Sequence, residues 1–284
     1  MELITVNPTI LDGKATSLEL KERIKKRIEK LPKPPTLSIV YVGNDPASAV
    51  YTRNKVKTSE EIGINATLHR FEKISEEALI DFIEHALESD DGIIVQLPLP
   101  DGMNEEKVLD TIKPEQDVDG LHWKNIGKRI IGDKNAFWPC TPLGIIDILD
   151  HYNIELEGKH AVVLGRSNLV GRPIASLLEK RNVTVTQCHS RSKPISRYTL
   201  DADIIIAAIG KAKFIKADMV KEGVIIVDVG MNRDENGKLC GDVDFENIKD
   251  KCSYITPVPG GVGPMTVVEL MSNTVASAER KLNS

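Results

Sequence analysis

Tyr51 and Lys55 stand four residues apart in the stretch ASAVYTRNKVKTSEEIG, so a helix there carries both side chains on one face. A phenol and an amine on one face form a proton-transfer set where they border a pocket. Elsewhere a Tyr-x-x-x-Lys pair is a surface contact. Two other stretches carry groups suited to such a pocket. VQLPLP puts Gln96 at the C-terminal end of a strand, the edge at which open α/β sheets bind ligands. DVDG offers Asp117 and Asp119, each as a functional carboxylate or as a loop acid capping a turn. Metal chemistry has no counterpart in the pattern. The six histidines are scattered, and Cys140, Cys188, Cys240 and Cys252 form no C-x-x-C pair, so no metal site is expected. The cysteines read as small hydrophobes in a reduced cytoplasm.

The second candidate is GRSNLVGRP, residues 165–173, which follows the apolar run AVVL and opens a helical pattern. It departs from the dinucleotide fingerprint G-x-G-x-x-G: Ser167 replaces the second glycine and Gly171 comes one place late. The strand-turn-helix context is nevertheless the one a nucleotide loop requires. Gly165 makes the tight turn, Gly171 lets the helix approach the sheet, and the helix N-terminus offers N–H groups to a phosphate. Ser167 adds a hydroxyl donor. An NAD site usually places an acid at the end of the next strand, to hold the ribose 2′-hydroxyl. Here that strand ends in CHSRSK, and no acid occurs between Glu179 and Asp201. Ser190, with Arg191 or Arg166, suits a 2′-phosphate, which favours NADP over NAD. Lys193 reads as a solvated base.

The elements that must position these groups alternate. Leu20, Ile24, Ile28 and Leu31 line one face of a helix, and TLSIVYVG is a buried strand. A helix ended by Gly63, the strand NATLHRF, the helix SEEALIDFIEHALES, the strand DGIIVQLPLP and a short helix in NEEKVLDTI follow. Residues 113–142 read as a connecting region. TPLGIIDILDHYN is a helix with Thr141 as N-cap and Pro142 at its first position. A second series runs through KHAVVLG, GRPIASLLEKR, VTVTQC, DIIIAAIG, a helical KADMVKEG, VIIVDVG, a hairpin-like turn at DENGK, SYITPVPGG and a closing helix. Alternating strands and helices imply parallel α/β sheets. With 284 residues, the expected organisation is two α/β domains. Residues 1–140 are the first, with a closing helix at about 265–284 packing back on it, and 141–264 are a Rossmann-type nucleotide-binding domain.

Taken in order, YTRNKVKTSEEIGI, VQLPLP, DVDGLH, PCTPLGI, GRSNLVGRP, CHSRS and TPVPGGVGPMT resemble the bifunctional methylenetetrahydrofolate dehydrogenase/methenyltetrahydrofolate cyclohydrolase family over nearly the whole chain. The resemblance implies NADP-linked oxidation of 5,10-methylenetetrahydrofolate to 5,10-methenyltetrahydrofolate, then hydrolysis to 10-formyltetrahydrofolate. It implies an active site in the cleft between the two domains. In that site Lys55 handles protons, Gln96 positions Lys55, Tyr51 lies against the folate and Asp119 hydrogen-bonds the pterin. Pro259, Gly260 and Gly261 form a turn lining the substrate. Gly165, Arg166, Ser167, Ser190, Arg191 and the backbone at Met231 contact NADP. A homodimer through the nucleotide domain is implied as well. One departure is local: Glu269 stands in the last helix where an apolar residue is expected.

The remaining pattern excludes other classes. A net charge of −5 argues against a nucleic-acid binder, and no apolar run is long enough to span a bilayer. MELITVNPTILDGK lacks the basic and apolar regions of a secretory leader, so a cytoplasmic protein is expected. The Tyr–Lys spacing also occurs in short-chain dehydrogenases, but there it follows the nucleotide loop, whereas Tyr51 precedes residue 165 by a whole domain. Two rivals stand beside the folate reading. One is another NADP-linked two-domain dehydrogenase of shikimate or amino-acid type; the other is a non-enzymatic NADP-sensing module.

Overall fold

The computed structural model describes residues 8–283; residues 1–7, part of the stretch read for a leader, lie outside the described residues. In chain order the strands are β1 (Thr9–Ile10), β2 (Thr36–Val42), β3 (Asn65–Phe71), β4 (Gly92–Val95), β5 (His160–Leu164), β6 (Thr184–Cys188), β7 (Ile204–Ala207), β8 (Val224–Asp228), β9 (Asn232–Arg233), β10 (Leu239–Cys240) and β11 (Cys252–Ile255). The helices are α1 (Gly13–Ile28), α2 (Pro46–Ile62), α3 (Glu76–Asp81), α4 (Glu105–Leu109), α5 (Trp123–Ile130), α6 (Cys140–His151), α7 (Gly171–Glu179), α8 (Ser196–Thr199), α9 (Phe245–Ile248) and α10 (Val262–Leu282). Among the described residues no helix is long and apolar enough to cross a membrane.

The chain divides into two compact units. One holds Leu18–Cys140 and residues 267–283; the other holds residues 8–17 and Thr141–Thr266. Residues 8–17 thus leave the expected 1–140 segment. The cause is β1, which pairs in parallel with β11 through Thr9↔Tyr254 and Ile10↔Ile255.

The unit of Leu18–Cys140 is built on a parallel sheet in the order β3-β2-β4. Leu37 to Val42 of β2 are all buried, as a strand covered on both faces requires. Its apolar core joins Val40, Val42, Ile93 and Val95 to Leu79, Ile83 and Val108. Helix α2 begins where Asp45 accepts a hydrogen bond from the Ser48 amide at 2.7 Å, with Pro46 in the first turn. It ends at Gly63, whose φ of 97° is the left-handed cap. The expected helix after Ser75 is shorter, since α3 passes into a π-helical turn at Phe82–Ala86.

The other unit carries six parallel strands in the order β1-β11-β8-β7-β5-β6. The chain runs from β5 outward to β6, then returns past β5 to β7. That reversal is a topological switch point, and ligands bind outside the carboxyl ends of the strands there. Two expected elements differ. KADMVKEG forms only a 3₁₀ turn at Ala217–Met219. Helix α6 starts at Cys140, so Thr141 is not its N-cap; the Thr141 hydroxyl meets that of Thr266 at 3.0 Å instead. The turn at DENGK does close a hairpin, β9–β10.

Candidate active site

In the unit of Leu18–Cys140, Tyr51 and Lys55 share one face of α2. Lys55 Nζ donates to Gln96 Oε1 at 3.0 Å. Gln96 is itself oriented: its backbone N–H donates to Val40 O at 2.8 Å, extending the sheet one residue past β4. Its Nε2 donates to Leu97 O at 2.7 Å, which turns Oε1 toward the amine. Lys55 is partly buried and Tyr51 is 37% exposed. Burial pushes the Lys55 pKa below the usual amine range, and the nearby Asp119 carboxylate acts in the opposite direction.

The two acids of DVDG, equivalent in the sequence, separate here. Asp117 is buried and accepts from the amides of Leu121 and His122 at 3.0 and 2.9 Å and from Asn125 Nδ2 at 2.8 Å. It is the scaffold of the turn. Asp119 is partly buried and lies near Lys55 and the Cys140 thiol, whose Sγ donates to Val118 O at 3.6 Å. Gly120 has no room for a side chain, since a Cβ would lie 2.7 Å from the carbonyl carbon of Trp138. Asn273 of α10 ties the turn to the following loop by donating to Val118 O at 2.8 Å and Trp138 O at 3.1 Å.

Cys140 is a neighbour that spacing alone did not single out. It is 1% exposed, and burial pushes its thiol well above the ordinary range, with Asp119 and Glu269 acting the same way. It therefore remains a neutral thiol beneath the amine. Glu269, expected to break an apolar pattern, is only 4% exposed on α10.

The scaffold assignment of Asp117 carries a stability prediction. Asp117→Ala leaves two buried donors and one partly buried donor without their acceptor, so we expect unfolding free energy to drop by about 2–4 kcal/mol in chemical denaturation. Burial raises Asp117 to about 6, above its ordinary 3.8. Protonation therefore favours the fold: this contribution is fully present below about pH 4 and is lost as pH rises through 6. Asp117→Asn should flatten that slope, and an unchanged slope would refute the assignment.

In the other unit the loop after β5 has the close packing a nucleotide turn needs. Gly165 has φ 129°, and a Cβ on it would overlap the Ala208 carbonyl oxygen after β7. A Cβ on Gly171 would run into the Gly165 backbone. The two glycines thus bring the loops of the switch point and α7 into contact. Ser167 Oγ accepts from the amides of Val170 and Gly171 at 3.1 and 3.4 Å, capping the turn while its own proton stays available to donate. A cavity of 1010 Å³ opens at the carboxyl ends of β5, β6 and β7, lined by Leu164, Cys188, Ser190, Ile209 and Phe214 among others. Lys193, read above as a solvated base, is exposed yet lines this cavity, and so does Lys211. Arg166, Arg191 and Met231 are exposed on the loops after β5, β6 and β8. Pro259 is exposed, whereas Gly261 is buried beneath the turn, its N–H donating to Pro257 O at 2.9 Å. The glycine-tight floor and the basic rim suit a phosphate-bearing dinucleotide.

Residues 11–119 match the model of the tetrahydrofolate dehydrogenase/cyclohydrolase catalytic domain, and residues 139–282 match that of its NAD(P)-binding domain. The bifunctional protein FolD of Bacillus licheniformis is 51% identical over 280 residues, 96% of this chain and 98% of the relative. Among solved structures, the bifunctional FolD enzyme of Campylobacter jejuni superposes with a TM-score of 0.93 at 47% identity, covering 96% of this chain and 99% of that one. The Trypanosoma brucei methylenetetrahydrofolate dehydrogenase-cyclohydrolase, solved with NADP and an inhibitor, gives 0.90 at 31% identity, covering 98% and 99%. A shikimate dehydrogenase of Thermus thermophilus, at 16% identity and a TM-score of 0.52, shares the fold alone. The chain belongs to the tetrahydrofolate dehydrogenase/cyclohydrolase family.

Proposed function

We propose that the protein oxidises 5,10-methylenetetrahydrofolate to 5,10-methenyltetrahydrofolate and hydrolyses the product to 10-formyltetrahydrofolate. The observation that carries this reading is the Lys55 amine, its pKa lowered by burial, held by Gln96 and faced by Asp119. In this reading Asp119 accepts hydrogen bonds from the pterin, and Tyr51 lies against the folate. Lys55 moves the proton of hydrolysis, and the turn of Pro259, Gly260 and Gly261 lines the substrate. The bound cofactor supplies the hydride acceptor. The unit of Leu18–Cys140 with the closing helix holds the folate chemistry, and the unit of Thr141–Thr266 holds the cofactor. Neither a shikimate-type dehydrogenase nor a sensing module requires Lys55, Gln96 and Asp119 together. The test is an assay of purified protein with methylenetetrahydrofolate and each nicotinamide cofactor, followed by hydrolysis of added methenyltetrahydrofolate. Absence of both turnovers refutes the reading.

NADP is the proposed cofactor. Ser190, Arg166 and Arg191 would hold its 2′-phosphate, with Gly165, Ser167 and the Met231 backbone on the rest. A higher kcat/KM with NADP than with NAD is expected; equality or the reverse order would remove the assignment. Arg166→Ala combined with Arg191→Ala should cost NADP turnover about tenfold to a hundredfold per true contact, and NAD turnover far less. A cytoplasmic homodimer formed through the cofactor-binding unit completes the proposal, and sedimentation equilibrium reads its stoichiometry.

A further inference from the structure

Two carboxylates outside the groups already assigned are buried at the carboxyl end of the six-stranded sheet. Asp228 ends β8 and is 3% exposed; Asp242 follows β10 and is 0% exposed. Asp242 Oδ2 accepts from the amides of Ile209 and Gly210 at 2.6 and 3.1 Å. Its Oδ1 accepts from the Lys211 amide at 2.7 Å and from Asn232 Nδ2 at 2.9 Å. Three successive backbone N–H groups thus converge on one carboxylate. Such a nest is an anion-binding concavity, and here the anion is the chain's own. Asp228 holds Asp242 in turn: its carboxylate accepts from the amides of Gly230, Asp242 and Val243, each at 2.9 Å. The packing leaves no slack. A Cβ on Gly241 would overlap the Asp228 carboxylate, and one on Gly230 would lie 2.5 Å from Asp242 Oδ1.

The segment gripped in this way is the loop after β7, at the switch point. Ala208 abuts Gly165 of the glycine turn, and Ile209 and Lys211 line the 1010 Å³ cavity. Through Asn232 the same carboxylate reaches the residue next to Met231. Both loops therefore take their shape from Asp242. Burial pushes Asp228 up to about 6, so at neutral pH it is an ionised acceptor and keeps its three donors.

We propose that Asp242 is a positioning residue for the dinucleotide: its carboxylate fixes residues 209–211 and the start of β9 in the conformation the cofactor binds, and Asp228 orients it. This rests on the NADP reading above. An asparagine at position 242 keeps the size of the side chain but turns one acceptor oxygen into a donor facing N–H groups, so the loop must shift.

The experiment compares the full-length wild type with Asp242→Asn. NADPH affinity is read by fluorescence titration, and methenyltetrahydrofolate hydrolysis is read without cofactor. The expected result is at least a tenfold weaker Kd and a matching rise in KM for NADP, with hydrolysis within about twofold of wild type. An unchanged Kd, or equal losses of binding and hydrolysis, overturns the proposal, the latter because it marks a general loss of fold. Asn232→Ala removes one contact and decides the case if Asp242→Asn does not fold: a threefold or greater loss of NADPH affinity with hydrolysis kept supports the proposal, and no loss overturns it. A wild type that binds no NADPH overturns the cofactor reading itself, an outcome distinct from a defect confined to the variants.

Discussion

Lys55→Met is expected to abolish most cyclohydrolase activity while leaving measurable dehydrogenase activity. The reason is an asymmetry in the chemistry. Hydride departs from a carbon between two nitrogens, so the substrate itself stabilises the cation formed, and orientation matters more than proton transfer. Hydrolysis has no such help: the attacking water must lose a proton. General acid–base catalysis contributes about 10²–10⁴-fold, and that is the expected fall in cyclohydrolase kcat. Methionine retains the length and apolar stem of lysine. Gln96 then loses its donor, but its Nε2 remains anchored on Leu97 O. Methenyltetrahydrofolate should accumulate during turnover and decay at the uncatalysed rate. The wild-type pH profile carries the same information. To accept a proton the amine must be neutral, and burial lowers its pKa, so cyclohydrolase activity should rise with pH and level off below the usual lysine range. The ratio of the two activities in one folded preparation decides the matter. Equal losses would make Lys55 a binding residue and move the proton transfer to Tyr51 or a bound water.

The groups legible in the sequence were those whose signal is local. Tyr51 and Lys55 announce themselves by helical spacing, and Gly165 and Gly171 by a strand-turn-helix context. Groups defined by what surrounds them were not legible. By residue type and spacing Asp117 and Asp119 are equivalent; the family resemblance singles out Asp119, and the donors at Leu121, His122 and Asn125 supply the physical reason by holding Asp117 as the buried scaffold acid. Cys140 reads as a small hydrophobe until it is seen beside Asp119 and Lys55. Asp242 draws three of its four donors from residues more than thirty positions earlier in the chain.

The same distinction holds for the fold. The alternating α/β series is carried by apolar periodicity and was readable. Helix α5, within a stretch read as a connection, inverts the rule: it buries Asn125 and Arg129 and exposes Trp123 and Ile130. Its buried face is polar because Asn125 bonds Asp117, and Arg129 donates to the carbonyls of Gly120 and Phe137. Strand β1 is two residues long, too short for any period, and its partner lies at the far end of the chain.

Asp119→Ala should impair both activities together, since oxidation and hydrolysis use one folate pocket in the proposed reading. The pterin presents N–H donors that a carboxylate can accept. Two charge-assisted hydrogen bonds at about 1.5–3 kcal/mol each correspond to a loss of roughly 10²–10⁴-fold in kcat/KM for both reactions. The variant also removes the negative charge that raises the Lys55 pKa, so the rise of residual cyclohydrolase activity with pH should move to lower pH. That shift separates the two roles of Asp119, because loss of pterin binding alone lowers the plateau without moving the profile. NADPH affinity should stay near wild type, since the cofactor residues belong to the other unit. Stability should change little: Asp117, not Asp119, carries the hydrogen bonds that hold the turn. Normal kinetic constants in folded Asp119→Ala protein would remove Asp119 from the folate site. A stability loss as large as that of Asp117→Ala would reassign it to the scaffold.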